Sequence, residues 1–183
     1  GSVVIERGTV GDERTKIAEA VNRLTTDADL LVTTGGLGPT TDDITRWAAA
    51  DLIDGGRVVD DAAALADVQA WCDRVGLPVS ESRSMVAKRP PSAEFVSNDK
   101  GTAPGLRFIL NDCVVWMLPG PPIEMQSMFT QHIAATLRAG QASATHSVEV
   151  RAAGLTEVQA ADLLGEKLDR SRTPQLGIRV GRG

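Results

Sequence analysis

Two adjacent carboxylates, Asp42 and Asp43, close a glycine-rich run that reads Thr33-Thr34-Gly35-Gly36-Leu37-Gly38-Pro39-Thr40-Thr41-Asp42-Asp43-Ile44-Thr45. Glycine lets a backbone turn at positive φ and approach a ligand closely. A helix that starts just beyond such a turn offers free N–H groups and a positive dipole end to an anion. Carboxylates placed there repel a phosphate unless a divalent cation lies between them, and magnesium is typically held by one or two carboxylates plus phosphate oxygens. The chemistry these residues point to is metal-assisted handling of a phosphorylated ligand. A structural reading competes with it: Asp42 and Asp43 as first-turn acids that favour the helix dipole, with Thr40 and Asp43 as a capping box. The spacing matches neither GxGxxG nor GxxxxGK[ST].

The elements that must position these residues follow from periodicity. Leu30 to Val32 has the apolar character of a buried parallel strand. Val3 to Thr9 reads as an earlier strand, and Gly11-Asp12 opens a helix with Ile17, Val21 and Leu24 on one face. A helix from Ile44 to Leu52 ends at Gly55-Gly56. Asp60-Asp61 caps the next, whose apolar face is Leu65, Val68, Cys72 and Val75, stopped by Gly76 and Pro78. Alternation of this kind predicts a layered α/β domain with a largely parallel sheet. Ser80 to Asn98 is looser and polar, a loop with Lys88 and Arg89 exposed. Leu106 to Leu110 and Cys113 to Leu118, divided by Asn111-Asp112, read as a β-hairpin. Pro119-Gly120-Pro121-Pro122 leads into a helix with Met125, Met128, Phe129, His132, Ile133 and Leu137 on one face. After a polar linker from Gln141 to Thr145, a strand over Ser147 to Arg151, a capping box Thr156-Glu157-Val158-Gln159, a helix burying Val158, Leu163, Leu164 and Leu168, and a strand over Leu176 to Val180 are expected. One helix and two strands are too little for an independent core.

Composition narrows the classes. The 183 residues carry a net charge of −5 and 42% hydrophobic residues, with 3% aromatics and no tyrosine, so aliphatic side chains and alanine fill the core. No Lys/Arg cluster stands out, which argues against a nucleic-acid surface. No apolar run reaches the length of a membrane helix and no secretory signal precedes the first strand, so the expectation is a cytoplasmic chain without nucleic-acid or membrane partners. Cys72 and Cys113 fit buried free thiols. His132 and His146 have no metal-ligand spacing.

Three loops together carry a resemblance: the glycine-rich run above, Gly101-Thr102-Ala103-Pro104-Gly105, and Leu118-Pro119-Gly120-Pro121-Pro122-Ile123-Glu124-Met125. The combination resembles the competence/damage-inducible protein A (CinA) family, in its N-terminal molybdopterin-binding-like (MoaB/MogA-like) domain. Gly154 to Arg170 is similar to the small α/β segment that follows this domain in that branch. The resemblance implies a three-layer α/β/α fold with a mostly parallel sheet over residues 1–140, and a partial small α/β subdomain over 141–183. Relatives open with a strand and a GDELLxGxxxDTN loop, and this sequence begins after that segment, so the implied domain lacks its first strand. The family's C-terminal amidase domain, which deamidates nicotinamide mononucleotide, is likewise not matched.

Carried onto this sequence, the family's substrate loop falls on Thr34, Gly35, Gly36, Gly38 and Thr40. Gly101, Thr102, Gly120 and Pro121 would line the same pocket, at the carboxyl edge of the sheet where such folds bind ligands. Asp43 and Asp12 take the catalytic positions, and Asp43 with Asp42 the metal. Glu124 is a candidate base by position, with a first-turn structural acid the favoured reading. The implied activity is hydrolysis of ADP-ribose to AMP and ribose 5-phosphate with Mg2+ or another divalent cation. The alternatives are a pterin-phosphate or nucleotide-binding module without turnover, a dimerising scaffold, or adenylyl transfer to molybdopterin. A homo-oligomer, dimer or trimer, is the implied assembly.

Overall fold

The computed structural model describes residues 2–139, 148–169 and 171–179. They fall into two compact units, one within 1–144 and the other within 145–183. In the first unit the order is α1 (Arg14–Leu24), β1 (Leu30–Thr34), α2 (Thr45–Asp54), β2 (Val59–Asp60), α3 (Ala62–Val75), α4 (Glu81–Met85), β3 (Lys88–Arg89), β4 (Glu94–Val96), β5 (Gly105–Leu110), β6 (Cys113–Leu118), α5 (Pro122–Met128), a π turn (Phe129–Ile133) and α6 (Ala134–Ala139).

The main sheet runs β1-β6-β5-β4. β1 lies parallel to β6, with Leu30 opposite Val114 and Thr34 opposite Leu118. The β6–β5 and β5–β4 pairings are antiparallel, so the sheet is mixed. The hairpin forms as expected: Leu110 pairs with Cys113, and Asn111 and Asp112 both take positive φ (53° and 64°), as a two-residue primed turn requires.

Period-two alternation sends neighbouring side chains to opposite faces. On one face Leu31, Leu106, Phe108, Val115 and Met117 pack with Ile17 and Val21 of α1 and Ala49, Leu52 and Ile53 of α2. On the other, Leu30, Val32, Val96, Trp116 and Leu118 pack with Met125, Met128, Phe129, Ile133 and Leu137. Helices on both faces of one sheet make the three-layer α/β/α arrangement. The π turn adds one residue per turn; this brings Met128 and Ile133, five apart, onto the same buried face.

Several expected elements differ. Residues 3–9 form no strand, and Val3, Val4 and Ile5 are largely exposed. A strand needs a neighbour's hydrogen bonds, and no described strand pairs with this segment; Glu6 instead meets Arg23 of α1. The Ser80–Asn98 stretch is structured, holding α4, β3 and β4, with Lys88 paired to Asp60 and Arg89 to Asp61. The inward face of α3 is Ala64, Val68 and Cys72, while Leu65 and Val75 are exposed. Both cysteines are free and buried.

In the second unit, α7 (Glu157–Leu164) starts at the expected capping box, Thr156 and Gln159 bonding reciprocally. A 3-10 turn follows (Gly165–Leu168). No strand occurs at 148–151 or 176–179, and none of its described residues is buried; Val158 and Leu163 are exposed. Among the described residues of this unit no strand is present for those segments to pair with. The expected linker 141–145, Ser147, His146 and Val180 lie outside the described residues.

Asp61 ties α3 to β3. Its Oδ1 accepts from Ala64 N at 2.9 Å and its Oδ2 from Arg89 Nε at 2.5 Å. The Ala64 N–H, then Arg89, hold its carboxyl below the usual range. A depressed folded-state pKa contributes stability above the unfolded value that is lost as pH falls through the folded one. Asp61→Ala should therefore cost about 1 kcal/mol at neutral pH. In urea titrations at several pH values, the gap to wild type should shrink as the pH drops below about 4.

Candidate functional site

β1 and β6 run parallel and end together, so the chain leaves both at one edge of the sheet. Gly35 N donates to Leu118 O at 2.9 Å, which fastens the first loop to the second strand. Gly35 and Gly36 turn at φ 99° and 70°. A Cβ at Gly120 would sit 3.5 Å from Gly35 Cα, so the two loops pass backbone against backbone. Thr45 N donates to Gly36 O at 3.0 Å and closes the loop onto the start of α2.

These loops wall a cavity of about 270 Å³. Gly36 to Pro39 and Asp43 form one side, Thr102 and Ala103 a second, and Pro119 to Pro121 with Glu124 a third. Of the sequence-predicted residues, the structure brings together Gly36, Gly38, Asp43, Thr102, Gly120 and Pro121. Gly101 is buried just behind, where a Cβ would overlap the Glu124 carboxylate. Thr34 and Gly35 sit at the strand end and Thr40 and Asp42 on the exposed shoulder; none of these four lines the cavity. Asp12 is exposed in the turn before α1 and also lies outside the cavity lining.

The carboxylates are oriented by Thr40. Its N–H donates to Asp43 Oδ2 at 2.8 Å, and its hydroxyl lies 2.6 Å from both Asp43 Oδ2 and Asp42 Oδ1. The hydroxyl lowers the Asp42 carboxyl below its ordinary range. The Thr40–Asp43 capping box expected from the sequence does not form: Asp43 accepts from the Thr40 N–H, but Asp43 N bonds the Thr40 carbonyl rather than its hydroxyl. Helix α2 begins at Thr45, behind Ile44, which gives it no side-chain cap. A Cβ at Gly38 would lie 2.5 Å from Asp43 Oδ2, so only glycine lets the carboxylate fold back over the loop. Among the described residues Asp43 Oδ1 accepts no hydrogen bond. No group of three or more His, Cys, Asp or Glu side chains poised for a metal occurs among the described residues. The donor set suits a cation that completes its shell with substrate oxygens and water, as magnesium does.

Two residues that the sequence reading passed over hold the site. Arg46 is 2% exposed, and its Nη2 donates to Leu37 O at 2.9 Å and Val86 O at 3.0 Å. Its Nε has no partner among the described residues. Burial pulls the guanidinium pKa down to about 10, with the Asp43 charge opposing the shift. Asn98, 8% exposed, donates through Nδ2 to Ala103 O (2.8 Å) and Glu124 Oε2 (2.7 Å). Its Oδ1 accepts from the N–H groups of Lys100 and Gly101. Arg46 beside the Ala48-Ala49-Ala50 run was the available hint: a charged residue in the most buried part of a helix. Asn98 carried no such signal.

A parallel-edge cavity built from glycine and proline turns on a three-layer sheet defines a class. Residues 1–139 match the family model described as "probable molybdopterin binding domain". The chain belongs to that family and, within it, to the competence-damage-inducible (CinA) branch. It is 36% identical to the solved CinA protein of unknown function from Thermoplasma acidophilum, with a TM-score of 0.59 over 66% of this chain and 69% of that one. It is 34% identical over 174 residues to a CinA-like protein of Geobacter metallireducens, covering 94% of this chain and 42% of the relative. A Clostridium novyi protein named as competence-damage inducible is 33% identical over 174 residues, covering 95% and 42% respectively. The chain thus spans less than half the length of these curated relatives.

Replacing Arg46 tests whether it pins the loop. Arg46→Met strips a donor from the carbonyls of Leu37 and Val86 at a buried position, and from Met85 O at 3.4 Å, each unsatisfied group costing about 1–3 kcal/mol. A lowered urea midpoint equivalent to roughly 2–4 kcal/mol is expected. A midpoint equal to wild type would show that Leu37 O and Val86 O need no guanidinium.

Proposed function

We propose that this domain hydrolyses the diphosphate of a nucleotide diphosphate sugar of the ADP-ribose type, giving AMP and ribose 5-phosphate. The observation that carries the reading is the cavity itself, where a glycine loop and the Asp43 carboxylate meet two further glycine- and proline-rich loops. Gly36 to Gly38 line the cavity, and their backbone N–H groups would meet phosphoryl oxygens and stabilise charge that accumulates there in the transition state. Asp43, with Asp42 on the shoulder, would hold the divalent cation. That cation would neutralise phosphate charge and help ionise a bound water. Thr40 keeps both carboxylates turned towards the loop, and Arg46 fixes the Leu37 carbonyl beneath it. Thr102 and Pro121 bound the space left for the rest of the ligand.

A second reading has its own support. Thr40 engages an oxygen of each aspartate, as a purely structural clasp would, so the domain could bind a nucleotide or pterin phosphate without turning it over. Incubation with ADP-ribose and magnesium, followed by chromatography for AMP, separates the two. Turnover is expected from the wild type. Asp43→Asn should lower kcat by about two orders of magnitude or more while the circular dichroism spectrum stays native. Asp43→Asn with wild-type activity would remove Asp43 from the chemistry. An inert wild type that is nevertheless thermally stabilised by ADP-ribose would favour binding alone.

A further inference from the structure

We propose that Glu124 is the base that accepts the proton of the attacking water, and that Asn98 positions it for that task. The inference rests on the hydrolysis proposed above and assigns a role within the same cavity. Two carboxylates line the cavity, Asp43 and Glu124; each has one oxygen without a hydrogen bond among the described residues, and they differ in the group that holds the other oxygen. Asp43 is drawn back on its own loop by two hydrogen bonds to a single oxygen, from the Thr40 N–H and hydroxyl. Glu124 is anchored from behind by one side-chain amide. Asn98 Nδ2 reaches Oε2 at 2.7 Å, and among the described residues Oε1 accepts no hydrogen bond. A carboxylate anchored through one oxygen, with no hydrogen bond on the other, can take a proton there. Glu124 is anchored by a separate element, whereas Asp43 is tied into its own loop and assigned to the cation.

The surroundings are built for this carboxylate. Asn98 is buried and spends all its hydrogen-bonding capacity locally, two donors on Ala103 O and Glu124 and one acceptor on the N–H groups of Lys100 and Gly101. It therefore shapes the Gly101-Thr102-Ala103 wall and aims Glu124 in a single network. Gly101 has no room for a side chain because Glu124 occupies that space. A first-turn acid with a merely structural role needs neither a buried amide behind it nor a glycine cleared beside it.

In the hydrolytic step the water oxygen forms a bond to phosphorus while its proton passes to Glu124 Oε1. The bridging P–O bond breaks, and the leaving phosphate keeps the electron pair. The proton then returns to solvent from Glu124.

Glu124→Gln is nearly isosteric and can still take the Asn98 hydrogen bond. With ADP-ribose and magnesium, it should lose at least a hundredfold in kcat, with KM within threefold of wild type and the acidic limb of the kcat/KM pH profile changed in position or steepness. Asn98→Ala should lower kcat in the wild-type background but add little on top of Glu124→Gln, because it acts through the same group. If Asn98→Ala does not fold, Asn98→Asp keeps the acceptor for the Lys100 and Gly101 N–H groups. It sets a second carboxylate against Glu124, which should move the acidic limb to higher pH. An active wild type with Glu124→Gln within threefold of it overturns this inference alone. Additive losses from Asn98 and Glu124 overturn the positioning role. A wild type inert towards ADP-ribose overturns the inference together with the hydrolase reading.

Discussion

The parallel register of β1 and β6 is the constraint on which the site depends. Because Thr34 stands opposite Leu118, both strands stop at one level and release their loops on the same side. Antiparallel neighbours would have sent the second loop to the far edge. The Gly35 N–H to Leu118 O bond extends the pairing one step past the last strand residue. The two turns are thereby brought into contact, a Cβ at Gly120 lying within van der Waals distance of Gly35 Cα, and the φ of 99° at residue 35 is one that glycine adopts freely.

Much of this was legible in the sequence because the decisive features are local. The positive-φ glycines, the Asn111-Asp112 turn, the Asp61 cap and the Thr156–Gln159 box are each set by residues within a few positions of one another. The glycine and proline loops were recognisable for the same reason, since they announce where the chain must bend. Strands at 3–9, 148–151 and 176–179 did not materialise because alternation states only which face would be apolar, not whether an edge is available to pair with. Short β3 and β4 went unseen for the complementary reason. Their existence rests on partners at Val59–Asp60 and Gly105–Arg107, far off in sequence.

The same distinction explains which site residues were missed. Asp43 is found from its neighbours, but Arg46 matters through carbonyls at 37 and 86 and Asn98 through a carboxylate at 124. Sequence spacing contains none of that. Arg46 is also the energetic counterweight of the loop. A buried cation is costly, and here it is retained where it satisfies carbonyls that would otherwise be orphaned and faces the negative charge of Asp43. A neutral side chain of equal size could fill the volume but would leave Leu37 O with no donor at a point where the loop turns away from the sheet.

The cavity offers few side chains to a ligand. Gly36, Gly38, Gly120, Pro39, Pro119 and Pro121 supply much of its wall, and two carboxylates carry its formal charge. A wall of this kind recognises by shape and backbone dipoles, and the cramped positions beside Gly36, Gly38 and Gly101 show how little the chain could alter it without moving Thr45, Asp43 or Glu124. Charge then decides which shapes are welcome. With carboxylates on two sides and no lysine or arginine in the lining, an anion entering alone meets net repulsion, whereas an anion that brings its own cation meets a site already complementary to the pair. On the function proposed above, the acidic character of the pocket is compatible with a phosphorylated ligand, because one cation would supply the positive charge that both the ligand and the lining lack.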